Sequence, residues 1–227
     1  MTPLVTLVIP VLFDADAAAA LLAQIPDVSD VAIVVVDGQG DRRLEDLVAS
    51  HGRARLRRAT PGRGHQMNVG AEGASGDWLL FLHADSVLPD GWLPALRGLG
   101  ADVTGGWFTF ALDDAAWQAR VIERLVRWRV RVLRLPYGDQ GLFVRPAVFR
   151  SLGGFREWPL LEDVDFVRRL VRSGRVAALP LAVRTSSRRW RRDGWFRRSA
   201  MNVMIVALYF AGASPARLAR WYHRTPQ

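Results

Sequence analysis

At 227 residues, half of them apolar, the chain is long enough for one substantial α/β domain with a buried core and short for two. It has no cysteine, which excludes disulfides, cysteine metal sites and thiol nucleophiles. The formal charge is +9 and all 31 basic residues are arginine. Lysine Schiff-base and lysine–phosphate chemistry are therefore excluded, and arginine forks are left to meet any phosphate. The excess charge suits nucleic acid, anionic lipid or a nucleotide substrate, and charge alone does not choose among them.

Val5-Thr6-Leu7-Val8-Ile9-Pro10 reads as a buried strand ended by proline, and Asp14 to Gln24 as an alanine-rich helix. Ala32 to Val36 is a second strand, ending in Asp37-Gly38-Gln39-Gly40-Asp41. Asp-Gly is a common turn pair, so Asp37 is read both as a turn former and as a ligand group at a strand end. Leu44 to Ser50 reads as helix and Ala54 to Ala59 as a third strand. A dinucleotide-binding fingerprint is absent, because Val11-Leu12-Phe13 follows the first strand and Gly62-Arg63-Gly64 lacks a third glycine.

The stretch from Pro61 to Ser86 carries the densest chemistry. Pro61, Gly62 and Gly64 make a loop bearing Arg63, Gln66 to Ala74 permits a short helix, and Gly76-Asp77 is a turn. Trp78 to Leu82 is a continuous apolar run of strand length, as in a strand covered on both faces. His83-Ala84-Asp85 then stands at its carboxyl end, where open α/β sheets bind ligands. The alternation of strands and helices predicts a parallel sheet with crossover helices.

Pro89 to Trp92 begins another helix, and Gly105 to Phe110 reads as a strand leaving the parallel pattern. In Ala116 to Leu135, Trp117, Val121, Leu125, Trp128, Val132 and Leu135 form one helical stripe. Arg120, Arg124, Arg127, Arg131 and Arg134 run beside it. The stripe is expected to pack on the core beneath a solvated basic edge; the alternative is a helix lying on anionic lipid. Tyr137-Gly138-Asp139-Gln140-Gly141 is a polar loop before the strand Leu142 to Val144. Glu162, Asp163 and Asp165 cluster where a helix from Val164 to Ser173 begins, too many carboxylates for dipole compensation alone. Arg188-Arg189-Trp190-Arg191-Arg192 is a basic run whose donors suit a diphosphate.

No basic leader opens the chain, and no apolar run reaches the ~18 to 20 residues that span a bilayer. These features predict a cytoplasmic protein, with attachment to the inner membrane face as the alternative. The segment Ala200 to Ala213, flanked by arginines and aromatics, is read as a helix on the core, on a second subunit or at a membrane surface.

Val8-Ile9-Pro10, Val36-Asp37-Gly38, Arg63 with Asn68-Val69-Gly70-Ala71, Phe81 to Asp85, Gly153-Gly154-Phe155 and Glu162 to Phe166 together resemble the family 2 glycosyltransferases. The run Gly62 to Ser86, with Tyr137 to Arg145 and Ser186 to Trp190, is similar to a bacterial arsenosugar-biosynthesis or hopene-associated-like subgroup. The resemblance covers about residues 4 to 192. It implies a GT-A fold with a mixed, mostly parallel sheet in a transferase domain over 1–195, beyond which 196–227 reads as a helical extension for a membrane surface or an oligomer contact. It implies inverting transfer from a UDP-, GDP- or dTDP-sugar to an acceptor hydroxyl, on a lipid or a small molecule, with Mg2+ or Mn2+.

By the same resemblance Asp85 holds the metal and Asp163 is the catalytic base. Pro10, Asp37, Arg63, Asn68, His83, Arg189 and Trp190 meet the donor nucleotide, and Asp139, Gln140 and Glu162 lie on the acceptor side. The chain departs from the family pattern at His83, in place of the first aspartate of DxD, and at Ser186, in place of the glutamine of QxxRW. Two other readings stand beside this one: a basic nucleic-acid-binding protein, and a GT-A-like nucleotidyltransferase, whose glycine-rich, lysine-bearing start is missing.

Overall fold

The computed structural model describes residues 2–224, with side chains described as far as Tyr222. In chain order the first half runs β1 (Val5–Val11), α1 (Ala15–Leu22), β2 (Val31–Asp37), α2 (Arg42–Ser50), β3 (Ala54–Arg58), α3 (Arg63–Ala71) and β4 (Trp78–Phe81). A two-residue β5 (Ser86–Val87), α4 (Trp92–Arg97), β6 (Val103–Leu112) and α5 (Trp117–Leu133) follow. A single 3-10 turn at Gly138–Gln140 leads to β7 (Leu142–Val144), α6 (Pro146–Ser151), α7 (Glu162–Ser173) and β8 (Arg175–Thr185). The chain ends in α8 (Arg188–Asp193), α9 (Trp195–Phe210) and α10 (Pro215–Arg224).

One sheet takes the order β3-β2-β1-β4-β7-β6-β8-β5. Strands β3, β2, β1 and β4 are mutually parallel. The strand expected to leave this pattern, β6, instead keeps the direction of β4; the departure is made by β7, antiparallel to both, while β6 runs parallel to β8. The apolar runs of β1, β2 and β4 lie in the middle and face helices on both sides, whereas the edge strand β3, Ala-Arg-Leu-Arg-Arg, is only partly covered. Val5, Leu7 and Ile9 pack with α1 and α4 on one face. Val8, Val36 and Phe81 pack with α3, α6 and α7 on the other, in a cluster that Ile205, Val206 and Leu218 of the last two helices complete.

Several elements start earlier than their patterns suggest, and two of these early starts bear on the cleft. Helix α3 begins at Arg63, directly after Gly62 at φ 148°, so Arg63 sits on the first helical turn instead of in a loop. Helix α7 begins at Glu162, which brings all three carboxylates into its first turn. Strand β4 ends at Phe81, and His83 to Asp85 form the link to β5.

The apolar stripe of α5 faces away from the core, contrary to its expected packing. Trp117, Leu125, Trp128 and Val132 are each more than half exposed, and the buried side carries Ala119, Ile122 and Glu123. Glu123 explains the rotation. Its Oε1 accepts the Leu112 backbone N–H at 2.9 Å and its Oε2 pairs with Arg120 at 2.8 Å. That buried carboxylate caps the end of β6 and pins this side of the helix against the sheet; turned outward, it would strand the Leu112 donor.

Candidate active site

A cleft of about 400 Å³ opens beyond the carboxyl ends of β1 and β4, where Leu12, His83 and Asp85 line it. Arg63, His83, Asp85, Asp139, Asp163 and Arg189 line it. Five segments supply these six side chains, and the sheet gathers them. The two-residue ladder of β5 on β8 is decisive: Ser86 pairs with Thr185, and the Ser186 N–H donates to the Asp85 carbonyl at 3.2 Å. This ladder places the His83–Asp85 link beside the start of α8.

On the opposite wall, Leu161 precedes α7 in the left-handed conformation, φ 68°. A leucine held there costs about 1–3 kcal/mol, which the surrounding packing must offset. The bend turns Glu162 and Asp163 toward the cleft while Asp165 is held by Arg169 at 2.7 Å along the helix. Asp163 Oδ1 accepts the N–H of Val164 at 2.8 Å, and Oδ2 accepts the N–H of Gly138 at 2.7 Å. Glu162 forms an ion pair with Arg63 Nε, and Arg63 Nη2 stands 4.0 Å from Asp163 Oδ2. Arg63 Nη1 lies 3.5 Å from His83 Nε2. Arg63 is therefore the hub between the two walls.

The electrostatics follow from this crowding. Burial disfavours the charge on Arg63, but the Glu162 and Asp163 carboxylates outweigh it and hold its pKa above the ordinary value. Burial, reinforced by Arg63 and Arg189, holds His83 well below the usual histidine range, so its imidazole is neutral. Burial pushes Asp139 up to about 6, against the opposing pull of Arg129 and with the help of Asp163. Glu162 is raised by burial despite its pairing with Arg63.

The remaining expected residues divide between those in the cleft and those holding its frame. Trp190 lines the cleft, fixed by an indole N–H to Ser199 Oγ at 3.1 Å. Asp37 is buried, and its two oxygens accept the N–H groups of Gln39 at 2.8 Å and Asp41 at 2.7 Å, so it shapes the loop after β2. Pro10 lies on β1 opposite Val36 and is half-buried. Asn68 exchanges two hydrogen bonds with the backbone of Phe155, at 2.9 and 2.8 Å, latching α3 to the Gly153-Gly154 turn. Gln140 donates to the Phe108 carbonyl at 3.0 Å and faces a separate cavity under α5. Pro10, Asp37, Asn68 and Gln140 are not among the residues lining the cleft.

Two further residues take part that no sequence pattern singled out individually. Gln66 donates to the carbonyls of Val11 and Val36, both at 2.9 Å, and so stitches together the ends of β1 and β2. Arg188, one position before the expected Arg189, reaches Asp14 at 2.6 Å and Asp85 Oδ2 at 3.7 Å. The position of Gln66 one helical turn into α3 carried no signal of its own, whereas Arg188 lay within the recognised basic run.

Among the described residues no group of three or more His, Asp and Glu is placed to hold a metal ion. The donors that face the cleft nevertheless suit a hard divalent cation taking most of its ligands from a bound substrate. Asp85 offers a carboxylate, His83 is a neutral imidazole, and Asp139 Oδ1 is buried without a hydrogen-bond partner in the protein.

Residues 15–99 match the family described as glycosyl transferase family 2. Comparison with curated proteins finds no match. Among solved structures, the mannosyltransferase PcManGT from Pyrobaculum calidifontis, in complex with GDP-Man and Mn2+, superposes with a TM-score of 0.65 at 17% identity, over 99% of this chain and 71% of that one. Glucosyl-3-phosphoglycerate synthase from Mycobacterium tuberculosis, in complex with Mn2+, UDP and glucosyl-3-phosphoglycerate, gives 0.57 at 20% identity, over 79% and 70%. S. aureus TarS 1-349 in complex with UDP-GlcNAc gives 0.61 at 14% identity, over 95% and 69%. The chain thus has the GT-A fold, and its residues 15–99 carry the glycosyl transferase family 2 pattern.

Proposed function

We propose that the protein is an inverting glycosyltransferase that moves a sugar from a nucleoside-diphosphate sugar to an acceptor hydroxyl. The observation that carries this reading is the meeting of Asp85, Asp163 and Arg189 in one cleft at the strand ends of a GT-A sheet. The donor complexes of the structural neighbours, with UDP, UDP-GlcNAc or GDP-Man, support the same class of donor.

In this reading Asp85, with the neutral His83 beside it, faces the diphosphate. A divalent cation bound there, Mg2+ or Mn2+, would neutralise charge on the departing nucleoside diphosphate. Arg189 and Arg188 supply further positive charge from the start of α8, whereas Arg191 and Arg192 of the same run pair with Asp114 and Asp193. Asp163 lies on the opposite wall and takes the proton of the acceptor hydroxyl as general base, an effect worth typically ~10²- to 10⁴-fold in rate. The Gly138 and Val164 N–H groups fix its carboxylate, and Arg63 keeps the neighbouring Glu162 engaged. Asp139, with its buried partnerless oxygen, is placed to meet either the cation or an acceptor hydroxyl. The acceptor side is bounded by apolar and aromatic groups, Leu160, Ile205, Val206 and Tyr222, which suits a hydroxyl carried on a lipid or other partly apolar molecule.

Thermal melts with UDP, GDP and dTDP, each with and without Mn2+, test the reading. Stabilisation by one nucleotide that requires the cation is expected. Stabilisation by oligonucleotide and by none of the nucleotides would replace it with a nucleic-acid-binding function.

A further inference from the structure

We propose that the outward faces of α5 and α9 form one surface that docks on an anionic lipid bilayer, beside the cleft. On α5, Trp117, Leu125, Trp128 and Val132 stand four, four, three and four residues apart when Val121 is included, and these four are 56–63% exposed. On α9, Phe196, Val203, Met204, Leu208 and Phe210 are 41–56% exposed, and the other positions of that face are Ala200, Ala207 and a single arginine, Arg197. The rings of Trp117 and Phe196 lie 5.9 Å apart, which joins the two faces into one patch. Isolated exposed apolar side chains need no explanation, but a patch running along 2 adjacent helices of 17 and 16 residues does.

Charge selects the occupant. Arg120, Arg124, Arg127 and Arg131 are all exposed and lie along α5 between the apolar stripe and the buried side. The sequences of α5, α9 and α10 contain one acidic residue, Glu123, and it is buried against Leu112 and Arg120. A second copy of this chain would bring like-charged rows together, with no exposed carboxylate among the described residues of these helices to meet them. An anionic bilayer presents the complementary arrangement: phosphate for the arginines and an acyl boundary for the tryptophans and aliphatic side chains. The geometry also links the surface to the cleft. Asn202, Ile205 and Val206 on the inner side of α9 line the cleft while the outer side faces outward, so the helix separates the two by its own thickness. An acceptor held in the bilayer would then need to rise only past α9. The surface is inferred from exposure and charge, independently of the proposed activity, and its test does not involve the donor.

Co-sedimentation of the whole protein with phosphatidylglycerol or phosphatidylcholine vesicles decides the matter. Wild-type protein is expected to pellet with phosphatidylglycerol at low salt and to be released as salt rises. The double variant Leu125→Glu/Trp128→Glu is expected to lose about tenfold or more in partitioning. The triple variant Arg124→Gln/Arg127→Gln/Arg131→Gln is expected to lose most of the preference for phosphatidylglycerol, about 100-fold at low salt. All the altered side chains are exposed, so unchanged thermal melts check that each variant is folded. Wild-type protein that stays in the supernatant at low salt overturns the proposal, as does wild-type binding by the double variant or an unchanged lipid preference in the triple variant. A wild-type dimer that the double variant converts to monomer, measured by sedimentation equilibrium, would overturn it in favour of a second copy.

Discussion

Asp163 Oδ2 accepts the backbone N–H of Gly138 at 2.7 Å, and this bond ties the first turn of α7 to the 3-10 turn carrying Asp139. A Cβ at Gly138 would stand 3.1 Å from Asp163 Oδ2 and 3.2 Å from His83 Nε2, so the glycine sits tightly between Asp163 and His83. Asp163→Asn keeps the size of the side chain and removes the proposed base. Transfer should fall by ~10²-fold or more while nucleotide affinity changes little. Initial rates alongside titration calorimetry separate the two. Transfer at near wild-type rate would move the base to Glu162 or out of this cluster.

Asp85→Asn should leave the fold intact and abolish the added stabilisation that Mn2+ gives with nucleotide. Arg188, 3.7 Å from Asp85 Oδ2, is then freed of one of its two acidic neighbours. His83→Asp, which restores the commoner two-carboxylate arrangement, should retain activity with an altered preference between Mg2+ and Mn2+. Wild-type nucleotide affinity in Mn2+ for the Asp85→Asn variant would take Asp85 out of the site.

Asp139 offers a pH test. Its carboxyl ionises near 3.8 in an unfolded chain and at about 6 in the fold, because burial disfavours the charge. Between those values the folded protein binds more protons than the unfolded one, so this group removes stability as pH rises from about 4 to about 6. Asp139→Asn has no such penalty. In chelator-containing buffer its Tm should therefore gain on that of the wild type between about pH 4 and pH 7. A constant difference across that range would show that Asp139 is not the source.

Asn68→Ala should destabilise the protein by about 1–3 kcal/mol, since the Phe155 N–H and carbonyl both lose their partner. Its nucleotide affinity should stay near wild type if latching α3 is the whole task of this side chain. Denaturant melts with nucleotide titration distinguish a latch from a donor contact, which would weaken binding instead.

Gly70→Ala is expected to be destabilising although alanine is the better helix former. The new Cβ would lie 2.3 Å from Val8 Cγ1 and 2.9 Å from Val36 Cγ2, forcing α3 away from β1 and β2. Overpacking of this kind costs about 1–3 kcal/mol, more than the roughly 1 kcal/mol of helix propensity gained. Because Arg63 and Gln66 ride on the same helix, transfer should fall with stability. An unchanged Tm would show that the helix has room to yield.

By itself the sequence determined the local elements and the chemistry they carry. Apolar runs such as Leu79 to Leu82 are sheltered on both faces only inside a sheet flanked by helices, and polar residues such as His83 and Asp85 at the end of such a run belong at its rim. What the tertiary structure alone decided was orientation and partnership. The spacing of Trp117, Leu125, Trp128 and Val132 marks one face of a helix, but a helix has a face whether it turns inward or outward. The turn of α5 was set by Glu123, whose carboxylate answers a backbone donor at Leu112 that only the folded sheet places there. Asn68 and Arg188 illustrate the same limit. Their partners, Phe155 and Asp14, lie 87 and 174 positions away, and no pattern within a segment encodes a hydrogen bond across that separation.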